Sequence, residues 1–414
     1  MAHVRRQNRT IETGIELQFL SNDDNMNNKN KTTDQKSALS KYFAYVKKNR
    51  SDLIKNYGDP HSICHNIIDH PLLENIPECA RFLFSESETD DLNYIIASTY
   101  ALLIGDERRR ELSAYFTPPA LAKGVIKASA PFLRSKEHPS VLDPACGGGS
   151  FLTPITRYLV NKKRDNGIAV EEACRTTLRD IRGVELDPGL AALSQSLLKD
   201  MLQRTYAYTC GPKPEIVRCE NALSASLSQR YDLVIGNPPY GKVGIGVDRT
   251  YLKNAKLANL GGHTNFYSLF LLKSLDWLKP SGGLVFVLPT SFVAGPYFSG
   301  LRQEIMSRAD VLSIDLHEQR ENLFLGAVQD VCVLTLQRRK SGASASNRQH
   351  PYKLGLIDAT GARIVCGTGI ARGDGEPWTL PVAQRAGRSA PHRKSPRKAT
   401  NHEPCARFRR ITSC

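Results

Sequence analysis

The sequence predicts an α/β protein with a mostly parallel, doubly wound sheet, an antiparallel edge strand and a helical N-terminal domain. Three observations carry this. Between residues 111 and 340, short β-branched runs alternate with longer amphipathic ones, the pattern of a parallel sheet covered on both faces. Before residue 111 the apolar residues recur at helical spacing instead. Near the end of the alternating region, Val311–Leu316 and Val328–Leu336 lie too close for a crossover helix, so they are expected to pair antiparallel at the sheet edge.

Taken in order, residues 1–40 are polar and rich in Asn, Asp and Lys, notably from Ser21 to Lys31; no core forms from such a composition, and disorder is expected. Residues 41–110 read as a helical domain, with Tyr42, Phe43, Tyr45 and Val46, then Leu72, Leu73 and Ile76, then Leu92, Ile95, Ile96 and Tyr100. Residues 111–340 form the main domain. Its strands are expected at Ser140–Asp143, Ile181–Leu186, Glu215–Arg218, Tyr231–Gly236, Leu284–Pro289 and Val311–Leu316, with helices at Leu190–Leu202 and Asn265–Leu278. Residues 341–380 open on the linker composition Ser341–Asn347 and contain one strand-like stretch through Val365; they are expected to be linker and the start of an incomplete C-terminal region. Residues 381–414 have no periodicity and read as a basic disordered tail.

Composition narrows the class. Hydrophobic residues at 41% and charged residues at 23% of 414 describe a soluble globular chain. No apolar run reaches the length of a membrane-spanning helix. Arg5, Arg6 and Arg9 are followed by no apolar stretch, so these residues are not expected to act as a secretory signal and a cytoplasmic location is expected. The ten cysteines form no CxxC pair and no His/Cys cluster at zinc spacing, which points to reduced thiols and no metal. The net charge of +15 suits a polyanionic partner. Nine Lys/Arg against Glu403 alone place +8 of it in residues 381–414, leaving +7 for the rest. The body is therefore only mildly basic.

Two loops carry the chemistry, each directly after a strand. The first is Asp143-Pro144-Ala145-Cys146-Gly147-Gly148-Gly149-Ser150-Phe151. Its glycines let backbone approach a ligand, with helix N-terminal amides behind them. No Gly-Lys-Ser/Thr follows, and the spacing is not that of a dinucleotide fingerprint. The second is Asn237-Pro238-Pro239-Tyr240. Two prolines restrict the chain so that the Asn237 side chain and the Pro238 carbonyl converge on one point. Such a pair of acceptors suits an –NH2 group, and Tyr240 offers a face on which a base stacks.

With Tyr115-Phe116-Thr117-Pro118-Pro119 upstream, these loops occur in the order found in the N6-adenine DNA methyltransferases whose target recognition domain is C-terminal, the gamma arrangement, and the chain resembles that family over roughly residues 110–340. The resemblance implies a Rossmann-like S-adenosylmethionine methyltransferase fold, with DNA as substrate and a restriction endonuclease or specificity component as partner. It implies that Phe116, Thr117 and Pro118 close over the cofactor. It further implies that Asp143, Ala145 and Gly147 line its methionine part, and that Glu185 accepts hydrogen bonds from its ribose. Where the family has an acid for the cofactor's adenine amine, this sequence has Asn221, with Glu220 beside it as the alternative. Asp187 is expected to cap the helix that begins at Pro188. Asn237, Pro238, Pro239 and Tyr240 would be the catalytic residues. Phe324 lies where the family stacks an aromatic on the extruded base, with ordinary packing as the competing reading. Phe266 and Tyr267 resemble the family's aromatic segment near the substrate pocket, with core packing at helical spacing as the favoured reading.

The expected reaction is methyl transfer from S-adenosylmethionine to N6 of adenine in DNA. An RNA or protein N-methyltransferase using the same pocket is the alternative within enzymes. An inactive DNA-binding remnant is the alternative outside them, because few residues follow Lys340 and the composition switches near Pro381. That switch is expected from a truncation or frameshift, or from a natural basic arm.

Overall fold

The protein was described from a computed structural model that covers residues 37–69, 83, 89–211, 215–225, 227, 229–243, 264–318, 330–340 and 349–380. Nine strands among these residues form one sheet in the order β3-β2-β1-β4-β5-β7-β6-β8-β9. The strands are β1 Val141–Asp143, β2 Ile181–Glu185, β3 Val217–Cys219, β4 Tyr231–Gly236, β5 Leu278–Pro289, β6 Ala309–His317, β7 Val331–Arg338, β8 Gln349–Ile357 and β9 Arg363–Arg372. Strands β3, β2, β1, β4 and β5 run parallel, and β7 is antiparallel to both β5 and β6.

The central strands are apolar on both sides because helices cover both faces. Alternate residues serve opposite layers. Val141, Leu233, Ile235 and Val285 pack under the helices Pro119–Ser129 and Leu152–Asp165. Leu142, Val234, Leu284 and Phe286 pack under Phe266–Trp277 and Ser299–Arg308. The reversal of strand order between β1 and β4 leaves a crevice at the carboxyl ends of the strands, where ligands bind in folds of this kind.

Two expectations need correction. The β6–β7 pair is antiparallel as expected, but it is not at the edge: β7 is inserted between β5 and β6, and the sheet continues through β8 and β9. A strand such as β6 has a second row of N–H and C=O groups to satisfy. Strand β8 pairs with that row in parallel, from Ser313↔Lys353 to His317↔Ile357, and β9 returns antiparallel on β8. The stretch 349–372, expected to be linker and the start of an incomplete C-terminal region with one strand-like run through Val365, therefore belongs to the main sheet. Where the sequence suggested a single strand-like stretch, a turn divides two: Asp358 Oδ1 accepts from the N–H groups of Thr360 and Ala362, the local bonding that favours Asp in turns.

The segment after β9 is tied down by a buried guanidinium. Arg302 is 1% exposed. Its Nε donates to Gly375 O at 2.8 Å, and its Nη1 donates to Phe292 O and Gly295 O at 2.9 and 2.8 Å. Beyond it Trp378, 3% exposed, packs against Phe292 and Tyr352.

The second correction concerns the N-terminal helices at 37–48, Arg50–Tyr57, Pro60–Asp69 and Thr89–Leu103. They were expected to form a domain. Instead their buried residues, including Tyr42, Ile63, Ile96 and Leu103, share one cluster with Phe116, Leu190, Leu193 and Leu197 of the main unit. Short helices in isolation are marginal in water; these gain their burial from the helix Pro188–Tyr206.

Candidate active site

Both loops singled out from the sequence reach the carboxyl ends of adjacent strands, β1 and β4. After β1 the chain turns immediately. Asp143 Oδ1 accepts from the Ala145 N–H at 3.1 Å, an Asx-type turn, while Oδ2 has no hydrogen-bond partner. The carboxyl is 0% exposed, and burial pushes its pKa up to about 8. Asp143 thus lies beneath the crevice surface, supporting the loop. Gly147 has φ +52°, a left-handed conformation open to glycine at little cost. This orients its N–H onto Glu185 Oε2 at 2.9 Å.

Glu185 ends β2. Its other oxygen, Oε1, accepts from the Asp187 N–H at 2.9 Å. Each carboxylate oxygen keeps a further acceptor site, and Glu185 lines the crevice. Burial raises its pKa, so the charged form that accepts hydrogen bonds is lost at a higher pH than for an exposed glutamate. Asp187 caps the helix Pro188–Tyr206 through Leu190 N–H, as its place before Pro188 predicts.

After β4 comes Asn237. Its amide is held across the crevice: Nδ2 donates to Thr117 Oγ1 at 3.2 Å and to Tyr115 O at 3.4 Å. The Tyr240 hydroxyl donates to Asn237 Oδ1 and shares its proton with Val287 O at 3.2 Å. Burial of that hydroxyl raises its pKa well above the usual range, so it remains a donor. The Tyr240 ring is half-buried, edge-on to Tyr267 with ring centroids 6.3 Å apart.

Two cavities meet here. A small one of about 60 Å³ is lined by Phe116, Thr117, Gly147, Glu185 and Asn237. A larger one of about 340 Å³ is lined by Leu186, Glu220, Asn221, Phe266 and Phe270. Ala145, Glu185 and Pro239 line both and join them. Two alternatives from the sequence acquire geometry in the larger cavity. Asn221 is exposed and spends its Oδ1 on the Leu223 N–H at 3.0 Å. Glu220 has a buried Oε1 with no hydrogen-bond partner, with the Arg218 guanidinium 3.8 Å away.

Of the other expected site residues, Pro118 precedes the helix Pro119–Ser129 as its N-cap, Pro238 is buried, and Phe324 lies outside the described residues. Phe266 lines the larger cavity while Tyr267 is core, 1% exposed; helical spacing alone could not separate them. Sequence reasoning missed Leu186, a cavity-lining apolar residue 59% exposed beside Glu185. Among the described residues no group of three or more His, Cys, Asp or Glu could hold a metal, and no helix is long and apolar enough to cross a membrane.

Residues 193–324, which include Asn221 and Asn237 to Tyr240, match the family model described as Eco57I restriction-modification methylase. The chain is 27% identical over 225 residues to the type II methyltransferase M.BsuBI of Bacillus subtilis, covering 53% of this chain and 42% of that protein. It is 30% identical over 245 residues to the type II methyltransferase M.TthHB8I of Thermus thermophilus, covering 56% of this chain and 46% of that one. Over about half its length the chain is thus similar to type II restriction-modification methyltransferases. It spans less than half the length of these two relatives. Among solved structures, the cryoEM structure of a DrdV–DNA complex shares the fold: TM-score 0.50 at 14% identity, over 79% of this chain and 41% of that one. Within the methylase match lie the Asn237 loop and the side of the larger cavity formed by Glu220, Asn221, Phe266 and Phe270; the glycine loop, Glu185 and Leu186, which line its other side, precede the match.

Proposed function

We propose that this chain is an S-adenosylmethionine-dependent DNA methyltransferase acting on the exocyclic N6 amine of adenine, within a restriction-modification system. The observation that carries the reading is Asn237. Its amide is oriented by Thr117 and Tyr115 at the mouth of a crevice whose other wall is Glu185.

The residues present fit the cofactor. Glu185 keeps acceptor capacity for ribose hydroxyls, and Glu220 Oε1, which accepts no hydrogen bond and has the Arg218 guanidinium 3.8 Å away, suits an amine donor in the larger cavity. Leu186, Phe266 and Phe270 supply apolar lining for an adenine ring. When bound, S-adenosylmethionine supplies an electrophilic methyl group on a sulfonium.

Adenine's amine is a poor nucleophile because its lone pair is delocalised into the ring. Acceptors at Asn237 Oδ1 and the Pro238 carbonyl engage both N–H bonds and favour a tetrahedral nitrogen, directing the lone pair at the methyl. They strengthen as positive charge develops there, so they bind the transition state better than the ground state. The Tyr240 hydroxyl has a second acceptor in Val287 O. It can release Asn237 Oδ1 to the substrate without being left unsatisfied in a buried place. The target base must leave the duplex to reach this point, and the half-buried Tyr240 ring offers it a stacking surface. DNA is thus the proposed substrate, and a nuclease or specificity component the proposed partner.

Methyl incorporation from labelled S-adenosylmethionine, measured separately on DNA, RNA and protein, tests the substrate class. Label in N6-methyladenine of DNA is the expected result; label confined to RNA or protein overturns it. Glu185→Ala is expected to weaken cofactor binding by about 1.5–3 kcal/mol, the range for hydrogen bonds to a charged group. Calorimetry showing unchanged affinity would move the ribose contact elsewhere.

A further inference from the structure

The helix Thr89–Leu103 carries none of the motifs, yet it presses on the glycine loop and on the turn that follows Glu185. Ala97 is fully buried against the glycine loop: a Cβ on Gly148 would stand 2.3 Å from the Ala97 Cβ. One turn further along, Tyr100 covers the start of the helix Pro188–Tyr206. A Cβ on Gly189 would stand 2.1 Å from the Tyr100 hydroxyl oxygen. Both glycines are therefore places where backbone must let this helix approach.

Tyr100 is 5% exposed, and its hydroxyl donates to Asp187 Oδ1 at 2.7 Å. Asp187 is itself 6% exposed. The same Oδ1 accepts from the Leu190 N–H at 3.0 Å, and the Asp187 backbone N–H donates to Glu185 Oε1. Arg108 Nη2 stands 3.5 Å from Asp187 Oδ2. Two hydrogen bonds joined through the Asp187 residue thus link the Tyr100 hydroxyl, which holds the Asp187 side chain, to the Glu185 carboxylate, which accepts from the Asp187 backbone N–H. Burial, with the Asp187 carboxylate beside it, raises the Tyr100 phenol well above its usual range, so it stays a donor.

We infer that Tyr100 is a positioning residue for cofactor binding, acting through Asp187 to hold the Glu185 carboxylate where ribose hydroxyls meet it. The inference rests on the proposed reading of Glu185 as the ribose acceptor. Through it, the N-terminal helices become part of the cofactor site. Removing the hydroxyl leaves Asp187 capping its helix but loosens the peptide N–H that orients Glu185.

A merely structural role makes a different prediction, and Tyr42 provides the control. Its hydroxyl, also buried, pairs at 3.0 Å with the Oγ1 of Thr99, the residue before Tyr100 on the same helix. Calorimetric titration of the full chain with S-adenosylmethionine would compare wild type, Tyr100→Phe, Tyr42→Phe, Glu185→Ala and the Tyr100→Phe/Glu185→Ala double variant. Tyr100→Phe is expected to weaken binding about fivefold, the net worth of one hydrogen bond. Tyr42→Phe is expected to leave affinity unchanged. In the Glu185→Ala background, Tyr100→Phe is expected to add nothing, because the two act on one contact. Equal effects of Tyr100→Phe and Tyr42→Phe, an unaltered affinity for Tyr100→Phe, or additive effects in the double variant would each overturn the inference. A wild-type chain that binds no S-adenosylmethionine overturns the proposed function itself, and the inference with it.

Discussion

Asn237→Ala is expected to reduce methyl transfer by about 10²–10³-fold, the cost of removing one preorganised polar group from a transition state. Its Oδ1 is one of two acceptors proposed for the amine. Its Nδ2 is spent on Thr117 Oγ1 and Tyr115 O, so the amide cannot rotate to present the wrong atom without losing both bonds. The fold should survive. The loop remains restricted by Pro238 and Pro239, and the Tyr240 hydroxyl keeps Val287 O as an acceptor. Asn237→Asp retains an acceptor in place but turns a carboxylate toward the carbonyl of Tyr115, so it is expected to rescue little. Single-turnover methylation of a DNA duplex, with the unfolding midpoint measured in parallel, checks both statements. More than half of wild-type turnover in Asn237→Ala would sink the assigned role.

Trp378→Ala is expected to destabilise the protein by about 3–5 kcal/mol, the usual cost of deleting a buried aromatic from a core. The indole is 3% exposed and edge-on to Phe292, with ring centroids 6.2 Å apart. Its Nε1 donates to Arg372 O at 3.4 Å, and its backbone N–H donates to Val293 O at 2.9 Å. The loss should propagate, because this segment also supplies Gly375 O to the buried Arg302 guanidinium. A charge left buried without its acceptor costs more than a cavity. A urea titration should show a lower midpoint for Trp378→Ala and no change for Ile370→Ser, an exposed position on β9. Equal midpoints for the two variants would mean that 373–380 is not part of the folding unit.

Much of the architecture was legible because its causes are short-range. An unbroken apolar run such as Leu233, Val234 and Ile235 reads as a strand buried on both faces. Asp187 before Pro188 reads as a helix cap. The glycines after Asp143 and the prolines after Asn237 mark loops where backbone must be unusual. The structure places both loops at neighbouring strand ends.

Tertiary structure decided what no local pattern encodes. The insertion of β7 between β5 and β6, and the extension of the sheet by β8 and β9, follow from which backbone edges remain to be paired. That Asp143 lies sealed below the crevice while Glu185 lines it depends on the loop folding back over β1. Thr117 holds Asn237 across 120 residues of chain, and Tyr100 holds Asp187 across 87. A propensity describes a residue and its near neighbours. Hydrogen bonds over such separations exist only once the sheet has brought the elements together, and that is why the motifs were visible in the sequence and their supports were not.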